Sequence, residues 1–136
     1  MANYYAYVRT NYFHVKDAAA FREFIASIGS TEGDKVELIE GKDKEGNPIF
    51  GFGCHGQPAF PEADSYEGIL ESLSELVADD DAVIIMEIGH EKLNYLAGEA
   101  RIITSKEAKC ITIADQAIQT AREMLGEAKW ETKTEY

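Results

Sequence analysis

The chain has 136 residues, with 45% hydrophobic and 28% charged side chains, which fits one globular domain and excludes a disordered or collagen-like polymer. At this size roughly two-thirds of the unfolded surface is buried on folding, enough for a core without disulfide or metal staples. Thirteen bases against 25 acids leave a net charge of −12, which disfavours direct binding to nucleic acid or anionic lipid, since both need cationic surface.

In chain order, Tyr4 to Val15 is aromatic and β-branched and predicts a strand, with a bulge or polar stretch at Arg9-Thr10-Asn11. Asp17 is placed to cap a helix carrying Phe21, Phe24, Ile25 and Ile28, with Gly29 as its stop. Ser30 to Asp34 reads as a loop. Val36 to Glu40 and Ile49 to Phe52 read as strands joined by the polar turn Gly41 to Pro48. Gly53 to Pro61, rich in Gly and Pro, predicts an irregular loop that holds Cys54 and His55. A second helix is expected from Asp64 or Ser65 to about Val77, ended by Asp79-Asp80-Asp81. Ala82 to Ile88 predicts a buried strand, Gly89 to Leu93 a turn, and Asn94 to Thr104 a long strand. A hairpin turn at Ser105 to Ala108 leads to a short strand through Cys110 to Ile113. Thr112 and Asp115 have capping spacing for a third helix that Gly126 stops. The domain therefore spans residues 1–126, with 127–136 as a loose polar tail. This order gives an α+β fold: a ferredoxin-like βαββαβ core with an added hairpin and C-terminal helix, its mostly antiparallel sheet covered by helices on one face.

Charge is distributed unevenly. Glu45 to Glu91 contains eleven acids and no Lys or Arg, so one third of the chain carries nearly the whole net charge. On the second helix, Glu67, Glu71 and Glu75 fall within about an 80° arc, with Asp64 inside it, about 6 Å apart along the axis. Tyr66, Ile69, Leu70, Leu73, Leu76 and Val77 take the opposite arc. One reading of this ridge is a solvated face. The other is a row of negative charge, extended by Asp79, Asp80 and Asp81, that imitates phosphates and occupies the basic groove of a nucleic-acid-binding partner. The aspartates lack the spacing of a calcium loop, and no metal or cofactor is expected.

A second set of candidates has different chemistry. Cys54 could serve as a nucleophile if a histidine stood within hydrogen-bond reach; adjacent side chains rarely face each other, so His14 or His90 would have to supply the base in place of His55. His90 also has Glu87 and Glu91 near it in sequence, as an acid–base pair would require. With the polar patch Arg9 to Asn11, these residues define an alternative pocket of Arg9, Asn11, Cys54, His55 and His90 for a small molecule or reaction. Cys54 and Cys110 lie in no paired motif, and zinc-ligand spacing is missing. Tyr4, Tyr5, Tyr7, Tyr12 and Phe13 lack the Lys and Arg that a base-stacking platform needs, and exposed aromatics offer a homodimer face instead.

Asn11-Tyr12-Phe13-His14-Val15-Lys16-Asp17, followed by Ala20-Phe21-Arg22, resembles the opening of small uncharacterised acidic proteins of phages and plasmids. Val83 to Glu87 with Lys92-Leu93-Asn94-Tyr95 resembles a later segment of the same group. The resemblance implies a mobile-element origin, where small acidic proteins often inhibit host defence machinery, and transfers no functional residue. The expectation is a non-enzymatic inhibitor that binds a basic protein, with neither nucleic acid nor membrane as a direct partner. Two unpaired cysteines and the lack of a signal-peptide pattern in Met1 to Val15 point to the cytoplasm.

Overall fold

The computed structural model describes residues 4–60, 66–92 and 95–133. Six strands form one antiparallel sheet: β1 (Tyr5–Thr10), β3 (Glu37–Lys42), β4 (Pro48–His55), β6 (Val83–Glu91), β7 (Tyr95–Ile103) and β8 (Ala108–Thr112). Their spatial order is β3-β4-β1-β6-β7-β8. A two-stranded sheet pairs β2 (Gly29–Ser30) with β5 (Pro58–Ala59). The helices α1 (Ala18–Ser27) and α2 (Tyr66–Leu76) pack on one face of the large sheet. The chain is thus a mixed α+β fold. The third helix, α3 (Ile113–Leu125), lies against the other face, over β7 and β8.

Alternation in the strands builds the core. β1 turns Ala6, Val8 and Thr10 inward and Tyr5, Tyr7 and Arg9 outward. The inward residues meet Phe50 and Phe52 of β4 and Val83 and Ile85 of β6. From above, α1 adds Phe21 and Ile25, and α2 adds Ile69, Leu70 and Leu73. Phe13 and Phe21 meet edge to face with centroids 5.5 Å apart, a contact that adds about 1 kcal/mol beyond area burial. Each buried aliphatic chain of α2 contributes roughly 1.5–3 kcal/mol, which fixes the helix firmly to the sheet.

Local signals set most boundaries. The Asp17 carboxylate accepts from the Ala20 N–H, and the Thr112 hydroxyl accepts from the Asp115 N–H. Gly126 closes α3 at φ 66°, a left-handed conformation that favours glycine. Three expectations need correction. Gly29 does not stop α1: Ile28 ends it in extended conformation, and Gly29 opens β2. Gly53 to His55 is strand, not loop, because β4 passes so close to its neighbour that a Cβ on Gly53 would lie 2.9 Å from the Val8 carbonyl oxygen. The segment from Ala82 to Ile88 is buried on one face only, since Val83 and Ile85 enter the core while Met86 and Ile88 face outward, Ile88 at 69% exposure.

Strand β1 ends at Thr10, and Asn11 takes over its bonding to β6. The Asn11 amide Nδ2 donates to the Ala82 carbonyl at 3.0 Å, and its Oδ1 accepts from the Ile84 N–H at 2.7 Å. The side chain thereby extends the ladder past the last paired residue, Thr10, and no bulge interrupts the register from Tyr5 to Thr10. Beyond it, Phe13 bridges Phe50 and Val15 bridges Val77. No helix among the described residues is long and apolar enough to cross a membrane.

Candidate functional site

The acidic face of α2 follows from its buried face. With Ile69, Leu70 and Leu73 held in the core, helical geometry leaves Glu67, Glu71 and Glu75 exposed on the side away from the sheet. None of the three carboxylates has an ion-pair or hydrogen-bond partner among the described residues. Beyond the core contacts, the Ser74 hydroxyl donates to the Thr104 carbonyl at 2.8 Å and ties α2 to the end of β7. Asp64 lies outside the described residues.

The aspartate run that follows is divided. Asp79 pairs with Lys16 at 3.3 Å, and Ser105 and Lys16 hold its carboxyl below the usual range. Asp80 is exposed and has no ion pair among the described residues. Asp81 is engaged on both oxygens: Oδ2 accepts from the His14 backbone N–H and contacts the His14 ring Nδ1, both at 2.7 Å, and Oδ1 accepts from the Ala82 N–H. Asp79 and Asp81 therefore spend their charge on the chain itself. Only Asp80 extends the free row of α2.

His14 joins three connections that are remote in sequence. Its Nε2 meets Asp43 Oδ2 at 2.7 Å in the β3–β4 turn, and its Nδ1 meets Asp81 after α2. Hydrogen bonds to Asp43 and then Asp81 raise the His14 pKa above its ordinary 6.5. In return the His14 ring lowers Asp43 to about 2, helped by the Asn47 and Glu45 N–H groups. For Asp81, partial burial works upward, but the His14 N–H and ring outweigh it and the net shift is down. Nothing local in the sequence marks this clamp, because its acids stand 29 and 67 residues from the histidine.

The alternative pocket residues fall on both sides of the sheet. Cys54 points toward the core, where burial pushes its thiol up to about 11, and its Sγ contacts the Gly56 carbonyl at 3.7 Å. A thiol held neutral in this way is a poor nucleophile. His55 and His90 point outward, His55 against Tyr7 with centroids 4.7 Å apart and His90 beside Tyr5 at 5.9 Å. Arg9 is exposed on the outer face, and Asn11 is occupied in the ladder. Glu87 faces inward, opposite to His90, so the two do not pair.

Glu87 belongs instead to a polar end of the core. It is 4% exposed and accepts from the Tyr4 hydroxyl at 2.8 Å and the Gln57 Nε2 at 2.9 Å. Glu99 is its cross-strand neighbour, and the Arg101 guanidinium lies 3.8 Å from Glu99 and 5.0 Å from the Tyr66 ring centre. Burial pushes the Tyr66 phenol above its usual range. These groups form a polar cluster in which Glu87 is hydrogen-bonded, whereas the buried Arg101 Nε has no hydrogen-bond partner among the described residues. Among the described residues no group of three His, Cys, Asp or Glu side chains is arranged to hold a metal ion.

No family model matches the chain, and no curated protein or solved structure shows significant similarity to it.

Proposed function

We propose that the protein is a non-enzymatic binding protein that presents the acidic face of α2 to a basic partner. The observation that carries this reading is the row of Glu67, Glu71 and Glu75, without ion-pair or hydrogen-bond partners among the described residues and mounted on a helix pinned by three buried aliphatic residues. Leaving like charges at i,i+4 costs the helix roughly 0.2–0.5 kcal/mol per pair, with no compensating base among the described residues. A basic groove offsets that cost and gains rapid, electrostatically steered association. Row geometry favours a partner whose own ligand is a row of negative charge, namely a nucleic-acid-binding enzyme of host defence or DNA processing. The resemblance of the Asn11 to Asp17 segment to phage and plasmid proteins supports a mobile-element setting for such an inhibitor. We read β1, α1, β3, β4, α2 and β6 as a split βαββαβ core of ferredoxin-like type, a reading supported by the strand order β3-β4-β1-β6.

The test is retention of proteins from a bacterial lysate on the tagged chain, with wild type compared against the triple variant Glu67→Lys, Glu71→Lys, Glu75→Lys. All three positions are exposed, so circular dichroism should match between the two. Wild type should retain nucleic-acid-binding proteins that the triple variant loses. The same retained set from both proteins would sink the reading.

A further inference from the structure

The outer face of the sheet, opposite α1 and α2, is apolar and largely uncovered. Tyr5 and Tyr7 of β1, Met86 and Ile88 of β6, Leu96 of β7 and Ile111 of β8 all stand exposed there. α3 covers only one end of this face, with Ile113 lying over Gly98. The stripe of Ile113, Ala117 and Met124 forms one wall of an open groove of about 670 Å³, with Met86, Ile88 and Ile111 on its other side. No residue of α3 is buried, and Met124 is 82% exposed. A 13-residue helix is marginal by itself and depends on packing of its apolar side.

We infer that this face joins two copies of the chain. The first argument is area. The exposed apolar side chains of the sheet and α3 together offer on the order of 1,000 Å², against roughly 800 Å² contributed by each partner at a standard interface.

The second argument is charge. Two chains of net charge −12 repel each other least where they meet on surfaces poor in acids. The outward positions of β1, β6, β7 and β8 carry no carboxylate, with Arg9 and Lys109 as the ionic groups among them, while Glu32 and Asp34 stand beside Tyr5 and Tyr7 and α3 carries Asp115 and Glu123. Glu67, Glu71 and Glu75 lie in the helix layer across the sheet. Pairing outer face to outer face therefore sets the two acidic rows on opposite sides of the dimer, where both stay open to a partner. A twofold contact uses the same patch from each copy, so each α3 stripe gains cover from the other protomer. A small apolar ligand would fill the groove but leave Tyr5, Tyr7 and Leu96 uncovered, and for this reason the second copy fits better.

The experiment is sedimentation equilibrium on the full chain at micromolar concentrations. Wild type should give twice the 15.1 kDa chain mass. Ile88→Glu and Met124→Glu each place a carboxylate in the seam at a position exposed in the single chain, so folding by circular dichroism should be unchanged. Each should weaken the dimer at least about 100-fold. Leu96→Lys, in another strand, should do the same, while Glu71→Lys should leave the dimer intact. A wild-type monomer, with or without an apolar compound detected by native mass spectrometry, overturns the inference. So does a dimer that persists in Ile88→Glu and Met124→Glu. Neither result bears on the lysate retention of the α2 variants, so the two readings fail separately.

Discussion

Replacing Asn11 with Ala tests the claim that this side chain completes the β1–β6 ladder and serves no pocket. The substitution removes the donor to the Ala82 carbonyl and the acceptor for the Ile84 N–H, and both backbone groups are part-buried. A lost hydrogen bond is worth about 1 kcal/mol net, but an unsatisfied backbone group costs about 1–3 kcal/mol, so the two together predict a loss of about 2–4 kcal/mol. That is a large share of the 5–15 kcal/mol typical of a domain, and for a chain of this size it lowers the melting temperature by about 10 °C. Thermal unfolding followed by circular dichroism, with urea unfolding as a second measure, provides the assay. Arg9→Ala is the control, because Arg9 is exposed two residues earlier and its loss should change stability by less than about 0.5 kcal/mol. An Asn11→Ala protein that melts within about 2 °C of wild type would refute the ladder role.

The His14 clamp should make stability depend on pH in two directions. His14 has a raised pKa, so its contribution is full below 6.5 and fades as pH rises through its folded value; Asp43 is lowered, so its contribution is full above 3.8 and is lost as pH falls toward about 2. The melting temperature of wild type should therefore fall relative to that of His14→Gln on both sides of a window between these limits, and parallel curves would contradict the clamp. At pH 8, iodoacetamide should modify exposed Cys110 before half-buried Cys54, since both thiols are raised by desolvation but that of Cys54 goes up to about 11; equal labelling in peptide maps would contradict the inward placement of Cys54. Gly53→Ala should destabilise the protein by about 1–3 kcal/mol in urea unfolding, because the added Cβ meets the Val8 carbonyl; an unchanged midpoint would show that β4 can move away.

Features encoded within one turn or one helical face were legible in the sequence. Asp17 and Thr112 cap the helices they precede, and the 3.6-residue spacing of Ile69, Leu70 and Leu73 separates the core face of α2 from its glutamates. What was not legible depends on contacts remote in the chain. Asn11 looks like part of a polar patch until Ala82 and Ile84 are brought beside it. The His14 clamp needs three connections to meet at one point. Ala82 to Ile88 reads as a buried strand, since an apolar run does not say how much of the second face another element covers. Cys54 and His55 sit in a Gly-rich segment that reads as loop, but the glycines allow close approach of β1. The spread of the acids is only partly informative as well, because Asp79 and Asp81 are bound by Lys16 and His14 while Glu67, Glu71 and Glu75 have no partner among the described residues.

The two surfaces make separate demands on solution conditions. Contact through the outer face is apolar and should be little affected by salt, whereas contact through α2 is ionic and exposed to screening. The most direct test of the acidic-face account is the affinity of one retained partner, measured by titration calorimetry at rising salt for wild type and for the Glu67→Lys, Glu71→Lys, Glu75→Lys protein. The account predicts wild-type affinity that falls steadily with ionic strength and no measurable binding by the triple variant. Affinity that is independent of salt and equal in the two proteins would contradict it.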